Sequence, residues 1–259
     1  MMRITVFGAT GNVGSRVVAE ALSRGHEVTA IMRDPTRLHG LNASANIRTG
    51  DAGNSEDVAR LSAGQDLVIT ATRPPSGKER ELVAITESLF SGLTETKVRL
   101  LIVGGAGGLT VPGDSNALVV DDPRYVGPAW RGIALACTEQ LEVCRVQFRA
   151  NWTYLSPPAM LMPGERTGTF RVGKDELLVD SEGNSSISIE DFAVALIDEA
   201  EQPKHPQARF TVAYPPVFFS FGVSLKAAIQ KAAILKVTNL LLHSLRYRAS
   251  IARHENPSQ

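Results

Sequence analysis

The sequence predicts an α/β fold, a doubly wound parallel sheet with a small C-terminal lobe and an extra helical tail. Three observations carry this reading. Up to about residue 155, short apolar runs alternate with longer amphipathic ones, the pattern of βαβ units feeding a parallel sheet. Gly8, Gly11 and Gly14 stand at even spacing between the first apolar run and the first amphipathic one. The last strand-like run stops at Pro215-Pro216, where neither a helix nor a central strand continues easily, and the composition changes beyond it.

Taken in order, strands are expected at 4–7, 28–32, 47–49, 67–71, 100–103 and 152–155, with helices at 13–24, 55–61, 79–90 and 131–148 between them. Residues 156–214 change character. Pro157-Pro158, Pro163-Gly164 and Gly183-Asn184 punctuate short segments there, before an amphipathic helix at 189–201 and a final strand at 209–214. This stretch reads as a small substrate-side lobe. Ser188, with Asp191 three positions on, reads as the cap of its helix. From 217 to 250 the chain is rich in Leu, Ala and basic residues; Leu225, Ala228, Ile229, Ala232 and Leu235 recur at helical spacing, so one or two helices are expected. The domain division that follows is 1–214, with the lobe at 156–214, and a helical extension at 215–259.

Composition narrows the class. At 259 residues, with 43% hydrophobic and 21% charged residues, the chain is that of an ordinary globular protein. Lys plus Arg balances Asp plus Glu at 27 each, so no long-range field selects for nucleic acid. After Pro216, Lys226, Lys231, Lys236, Arg246, Arg248 and Arg253 face a single acid, Glu255, which leaves 21 basic and 26 acidic residues before it. Lys231, Lys236 and Asn239 interrupt the apolar run of the tail, so no integral membrane span is expected. A helix packed on its own body, on the mate of a homodimer or on another partner is the expected use of the tail. Cys137 and Cys144 lie seven apart in one expected helix, roughly 10 Å along its axis, too far to bridge. The five histidines show no metal-ligand spacing, and no metal is expected. Met1-Met2 leads into a strand-like run without a charged leader or cleavage site, and a cytoplasmic protein is expected.

The chemistry concentrates in the glycine loop Gly8-Ala9-Thr10-Gly11-Asn12-Val13-Gly14, which follows a strand and opens a helix. In that context the first glycine permits a tight turn, the second admits a pyrophosphate to the backbone, and the third allows close helix-on-strand packing. Free N–H groups at the helix start then face phosphate. A dinucleotide-binding Rossmann fold is therefore expected. The second strand ends at Arg33-Asp34, where an arginine favours the 2′-phosphate of NADP and an acid the free 2′-hydroxyl of NAD. Arg33 comes first, and Asp34-Pro35 reads as a turn initiator. NADP(H) is the expected cofactor and NAD(H) the alternative. Topology places Asp51 near the adenine and Ala71, Thr72 and Arg73 near the ribose and pyrophosphate.

With these residues in hand, the chain resembles the atypical short-chain dehydrogenase/reductases, specifically their NmrA-like and biliverdin/flavin-reductase-like NAD(P)H-binding group. The resemblance spans residues 1 to about 214. It rests on the glycine loop, on Leu101-Ile102-Val103-Gly104-Gly105-Ala106, Trp152-Thr153-Tyr154-Leu155-Ser156-Pro157 and Pro163-Gly164-Glu165-Arg166-Thr167-Gly168, and on Ile187-Ser188-Ile189-Glu190-Asp191-Phe192-Ala193. It implies a nicotinamide near Gly104, Gly105 and Ala106 and the turn at Ser156-Pro157. The wider superfamily uses a Tyr with a Lys four residues later. None of Tyr125, Tyr154, Tyr214 and Tyr247 has that lysine. Without such a dyad, reduction of a carbonyl to an alkoxide lacks its proton donor, whereas a flavin, quinone or similar conjugated small molecule accepts hydride with a proton from solvent.

Tyr154 and Ser156, at the carboxyl end of the last expected parallel strand, are the candidates to orient a substrate; the alternative for Tyr154 is a core aromatic with its hydroxyl satisfied locally. Trp130 and Tyr125 stand either over the nicotinamide or in ordinary packing. Glu165 and Arg166 read as pins for a loop. The expected function is an NADPH-dependent oxidoreductase; the alternatives are a non-catalytic NADP(H)-binding redox sensor and, third, a sugar epimerase or dehydratase.

Overall fold

The computed structural model describes residues 1–34 and 41–216. The helices expected after Pro216 lie outside the described residues. The described elements run β1 (Arg3–Phe7), α1 (Asn12–Ser23), β2 (Glu27–Met32), β3 (Asn46–Thr49), α2 (Ser55–Ser62), β4 (Leu67–Thr70), α3 (Glu81–Thr96), β5 (Arg99–Val103), β6 (Thr110–Val111), β7 (Asp114–Leu118), α4 (Pro128–Arg145), β8 (Trp152–Ser156), β9 (Met160–Met162), β10 (Arg171–Gly173), β11 (Ser186–Ser188), α5 (Ile189–Glu201) and β12 (Ala208–Ala213).

Eight strands form one sheet in the order β10-β12-β8-β5-β4-β1-β2-β3. Every neighbouring pair in it is parallel except β10 with β12. Strands buried on both faces must be apolar on both, which is why Leu67–Thr70 and Trp152–Ser156 are buried at every position. Ile4, Val6, Leu101 and Leu155 pack with Val17, Val18, Phe192 and Leu196 of α1 and α5. Phe7, Leu100, Ile102 and Tyr154 pack on the other face with Val58, Leu89 and Leu141 of α2, α3 and α4. The order reverses at β1, whose neighbours are β2 on one side and β4 on the other. The crevice beyond the carboxyl ends of these strands is where such sheets take ligands.

The stretch expected as a lobe is divided between two structures. β12 extends the main sheet beside β8, with Phe210 opposite Leu155, and α5 covers the α1 face. Only β9 and β11 pair apart from it, in a small parallel sheet. The cause is hydrophobic: Phe210 and Val212 are buried side chains that a surface lobe would leave in water. The strands of two or three residues, β6, β9, β10 and β11, are too short to leave a period in the sequence. Ser188 caps α5 as expected, accepting the Asp191 N–H at 3.0 Å.

Below the sheet, at the amino end of β5, Arg99 reaches Glu199 of α5 at 2.7 Å and Thr153 Oγ1 at 3.0 Å. The Glu199 carboxylate also accepts the backbone N–H groups of Lys204 and His205 and faces His205 Nδ1 at 2.8 Å. Both charged side chains are nearly excluded from solvent, so the pair holds only because each has its partner. Arg99→Met leaves the Glu199 carboxylate buried without its cation and is expected to cost about 3 to 5 kcal/mol in urea unfolding. Adding Glu199→Leu should recover much of that loss, since no charge then remains to be buried.

Candidate cofactor site

β1 delivers the chain to Gly8, whose φ of +76° turns it sharply away from the sheet. A Cβ there would stand 2.6 Å from the Ala71 carbonyl oxygen at the end of β4. The Gly11 N–H closes the turn onto the Gly8 carbonyl at 3.0 Å, and α1 begins at Asn12. A Cβ on Gly14 would lie 2.1 Å from that same Gly8 carbonyl, so only glycine lets the first turn of α1 pack on the loop.

The start of α1 is electropositive and unanswered. Gly11 supplies no capping side chain, and the first turn has no acid. Among the described residues, no acceptor meets the N–H groups of Asn12, Val13 and Gly14. α2 shows the contrast: Asn54 caps it, and Glu56 and Asp57 stand in its first turn. An uncapped helix start beside a glycine turn fits a phosphate group.

A cleft of about 180 Å³ opens at this point between β1, β2 and β4. Of the residues singled out in the sequence, Gly8, Thr10, Gly11, Arg33, Asp51, Ala71 and Thr72 line it, and so does Arg73. Asn12, Val13 and Gly14 lie in the helix beside it rather than in its wall. Asp51 shapes its own turn, accepting the Gly53 N–H at 2.9 Å while its backbone N–H donates to Asp57 at 2.9 Å. The sequence reading missed Met32, Pro74, Glu81 and Ile85 among the other residues of the wall. Glu81 and Ile85 sit one turn apart on α3, a spacing that could have flagged them once the end of β4 was suspected.

The remaining predicted residues meet at the carboxyl ends of β5 and β8. The Gly104 N–H donates to Leu155 O at 2.9 Å, which brings Gly104, Gly105 and Ala106 beside Ser156. Ser156 is fully buried, and its Oγ has no hydrogen-bond partner among the described residues. Tyr154 takes the second of the two places expected for it. It is a core aromatic, 1% exposed, whose hydroxyl is engaged by Cys137, Gln140 and Gly105 inside the protein. Burial pushes that hydroxyl well above the ordinary tyrosine range. Trp130 is exposed, with the Arg73 guanidinium 5.1 Å from its ring, while Tyr125 packs in the small cluster around Leu109 and Val119.

The Pro163–Gly168 segment is pinned, as its charges suggested. Arg166 grips Glu20 of α1 with two bonds of 2.8 Å, Ser188 Oγ holds the Glu165 carbonyl, and Asp191 takes Thr167 Oγ1 and the Gly168 N–H. No group of three or more His, Cys, Asp or Glu residues able to hold a metal occurs among the described residues. None of the described helices is long and apolar enough to cross a membrane.

Residues 8–203 match the model of the NAD(P)H-binding family. The chain belongs to that family. Uncharacterized protein YwnB of Bacillus subtilis (strain 168) is 35% identical over 82% of this chain and 98% of its own length. Among solved structures, a provisionally named exported protein of Burkholderia pseudomallei is 38% identical, covering 83% of this chain and all of its own, with a TM-score of 0.75. A provisionally named epimerase of Bacteroides thetaiotaomicron is 36% identical over 84% and 99%, with a TM-score of 0.76. A provisionally named NADH-flavin reductase of Streptococcus pneumoniae TIGR4 is 29% identical over 83% and 100%, with a TM-score of 0.74. Together with the sheet order, these establish an NAD(P)H-binding, oxidoreductase-like Rossmann protein.

Two outcomes test the architecture of the site. Gly14→Val puts a branched side chain into the Gly8 carbonyl and is expected to abolish cofactor-induced stabilisation in thermal melts, in which Kd-dependent shifts report binding. The hydrogen bonds from Arg166, with further help from Arg24 and against the cost of burial, hold the Glu20 carboxyl below its ordinary value of 4.5. A lowered folded-state value contributes stability that is complete above 4.5 and is lost as pH falls through the folded value. The stability gap between wild type and Glu20→Gln, measured by urea unfolding, should therefore be widest near neutrality and shrink below 4.5.

Proposed function

We propose that the chain is an NADPH-dependent reductase that transfers hydride to a flavin, a quinone or a similar conjugated small molecule. The observation that carries this reading is the pairing of an uncapped glycine cradle and Arg33 in one cleft with a strand end whose tyrosine hydroxyl is buried and engaged inside the protein. The residues fit a dinucleotide: Gly8 and Gly14 sit where any Cβ would meet backbone, which brings the α1 start down to the loop, and that start presents N–H donors without acceptors among the described residues. Ser156 Oγ adds a buried hydroxyl with no described partner at the other end.

In this reading Gly8, Gly11 and Gly14 shape the pyrophosphate seat, Thr10, Asn12 and Val13 line it, and Arg33 clamps the 2′-phosphate of NADP in preference to NAD. Asp51, Ala71 and Thr72 border the adenosine and ribose. Gly104, Gly105, Ala106 and Ser156 border the nicotinamide. The reduced nicotinamide, when bound, supplies the hydride. The chain's own part is to bind, orient and exclude water, and the acceptor draws its proton from solvent. The placement is cytoplasmic, where NADPH is supplied and the free thiols of Cys137 and Cys144 stay reduced; the Burkholderia neighbour's name argues the other way. The burial of Tyr154 also favours a second reading, a redox sensor that binds NADP(H) without turnover. The epimerase reading draws on the Bacteroides neighbour but lacks the tyrosine and lysine such chemistry uses.

NADPH consumption at the nicotinamide absorbance band, against flavins, quinones and conjugated ketones, tests the proposal. Sustained turnover is expected. Arg33→Ala should raise KM for NADPH about 10- to 100-fold, the worth of one charge-assisted contact, and leave KM for NADH nearly unchanged. Binding without turnover of any acceptor would favour the sensor.

A further inference from the structure

The two glycines that follow β5 are wedged between side chains. A Cβ on Gly104 would fall 2.0 Å from two ring carbons of Tyr154, and one on Gly105 would fall 2.6 Å from Cys137 Cβ. The ring of Tyr154 therefore takes the room a side chain at 104 would need. Its hydroxyl accepts the Gly105 N–H at 3.2 Å and points its own proton at the Cys137 carbonyl, 2.8 Å away, with the Gln140 amide oxygen at 3.2 Å. Gln140 is buried and donates to Thr86 Oγ1 at 3.0 Å, and Thr86 donates to the Leu82 carbonyl at 2.8 Å. A closed chain of hydrogen bonds thus runs from α3 through α4 to the turn at the sheet edge.

We propose that Tyr154 is a positioning residue for hydride transfer, its hydroxyl fixing the Gly105 amide and with it the Gly104–Ala106 turn that borders the nicotinamide. The proposal rests on the reductase reading. A phenylalanine would pack as well under Gly104, so packing alone does not call for the hydroxyl. Among the described residues the Gly105 N–H has no other acceptor. Because Tyr154, Gln140 and Thr86 are buried and partnered, loss of the tyrosine oxygen leaves the half-buried Gly105 N–H without its protein acceptor and unsettles the turn. Reacting atoms held at the edge of van der Waals contact are sensitive to such shifts, and a displacement of about 1 Å costs on the order of 100-fold in rate.

Tyr154→Phe keeps the ring and removes the hydroxyl. In the protein without cofactor, the Gly105 amide resonance should move in nitrogen-15 correlation spectra. NADPH affinity, read by nicotinamide fluorescence, should stay within about twofold while kcat with FMN falls roughly 10- to 100-fold. A primary isotope effect from 4-deuterated NADPH should grow, because hydride transfer then limits turnover; a change in folding stability alone would not produce it. Gln140→Met, which removes one partner and leaves Tyr154 in place, should lower kcat in the same direction by less, and it stands in if Tyr154→Phe does not fold. Unchanged kcat and isotope effect in a folded variant overturn the proposal. Wild-type protein that binds NADPH yet reduces no acceptor sinks the reductase reading instead; positioning is then read from the bound nicotinamide proton shifts, and identical shifts in wild type and Tyr154→Phe overturn it.

Discussion

The structure depends on how closely α1 approaches the end of β1. With the Gly8 carbonyl only 2.1 Å from where a Gly14 Cβ would be, helix and loop touch backbone to backbone. That contact brings the uncapped helix start down to the sheet edge, and the positive φ of Gly8 carries the loop past Ala71 of the neighbouring strand. A larger residue at either point would lift the helix away and separate its free N–H groups from the crevice. The donors at this loop are backbone N–H groups, and the close packing requires glycine at position 14 inside α1, where glycine weakens a helix.

The sheet order turns this local contact into a site. Because β1 lies between β2 and β4, the loops after these strands diverge and leave a cleft between Gly8, Arg33, Asp51 and Thr72. The opposite edge of the sheet is closed by charge. Arg99, Glu199 and His205 tie α5 to the base of β5, and Arg24 joins α1 to α5 through Asp198 and Glu201. Charged side chains tie the amino ends of the strands to the helices, and the unpaired N–H groups at the start of α1, among the described residues, lie at the opposite end.

Tyr154 reaches the right strand end but spends its hydroxyl on Cys137, Gln140 and Gly105, and Arg166 spends its charge on Glu20. Both side chains hold loops. A site of this kind favours chemistry in which geometry and exclusion of water matter more than proton transfer by the protein.

Much of this was legible in the chain itself. Alternating apolar runs determined the parallel sheet and its order of strands and helices, because a strand buried on both faces is apolar at most positions, and the glycine spacing located the loop at the end of β1. Ser188 and Asp191 announced the start of α5, since a capping bond spans only three residues. What the sequence could not carry were relations between distant segments. Whether β12 stood in a lobe or in the sheet depended on its pairing with β8, 55 residues away at Ser156 and Thr211. The walls supplied by Glu81 and Ile85 depended on how α3 stands beside the end of β4. Tyr154 shows the division most clearly: its place at the strand end was readable, but which way its ring turned, and which groups met its hydroxyl, were decided by α4 packing over it.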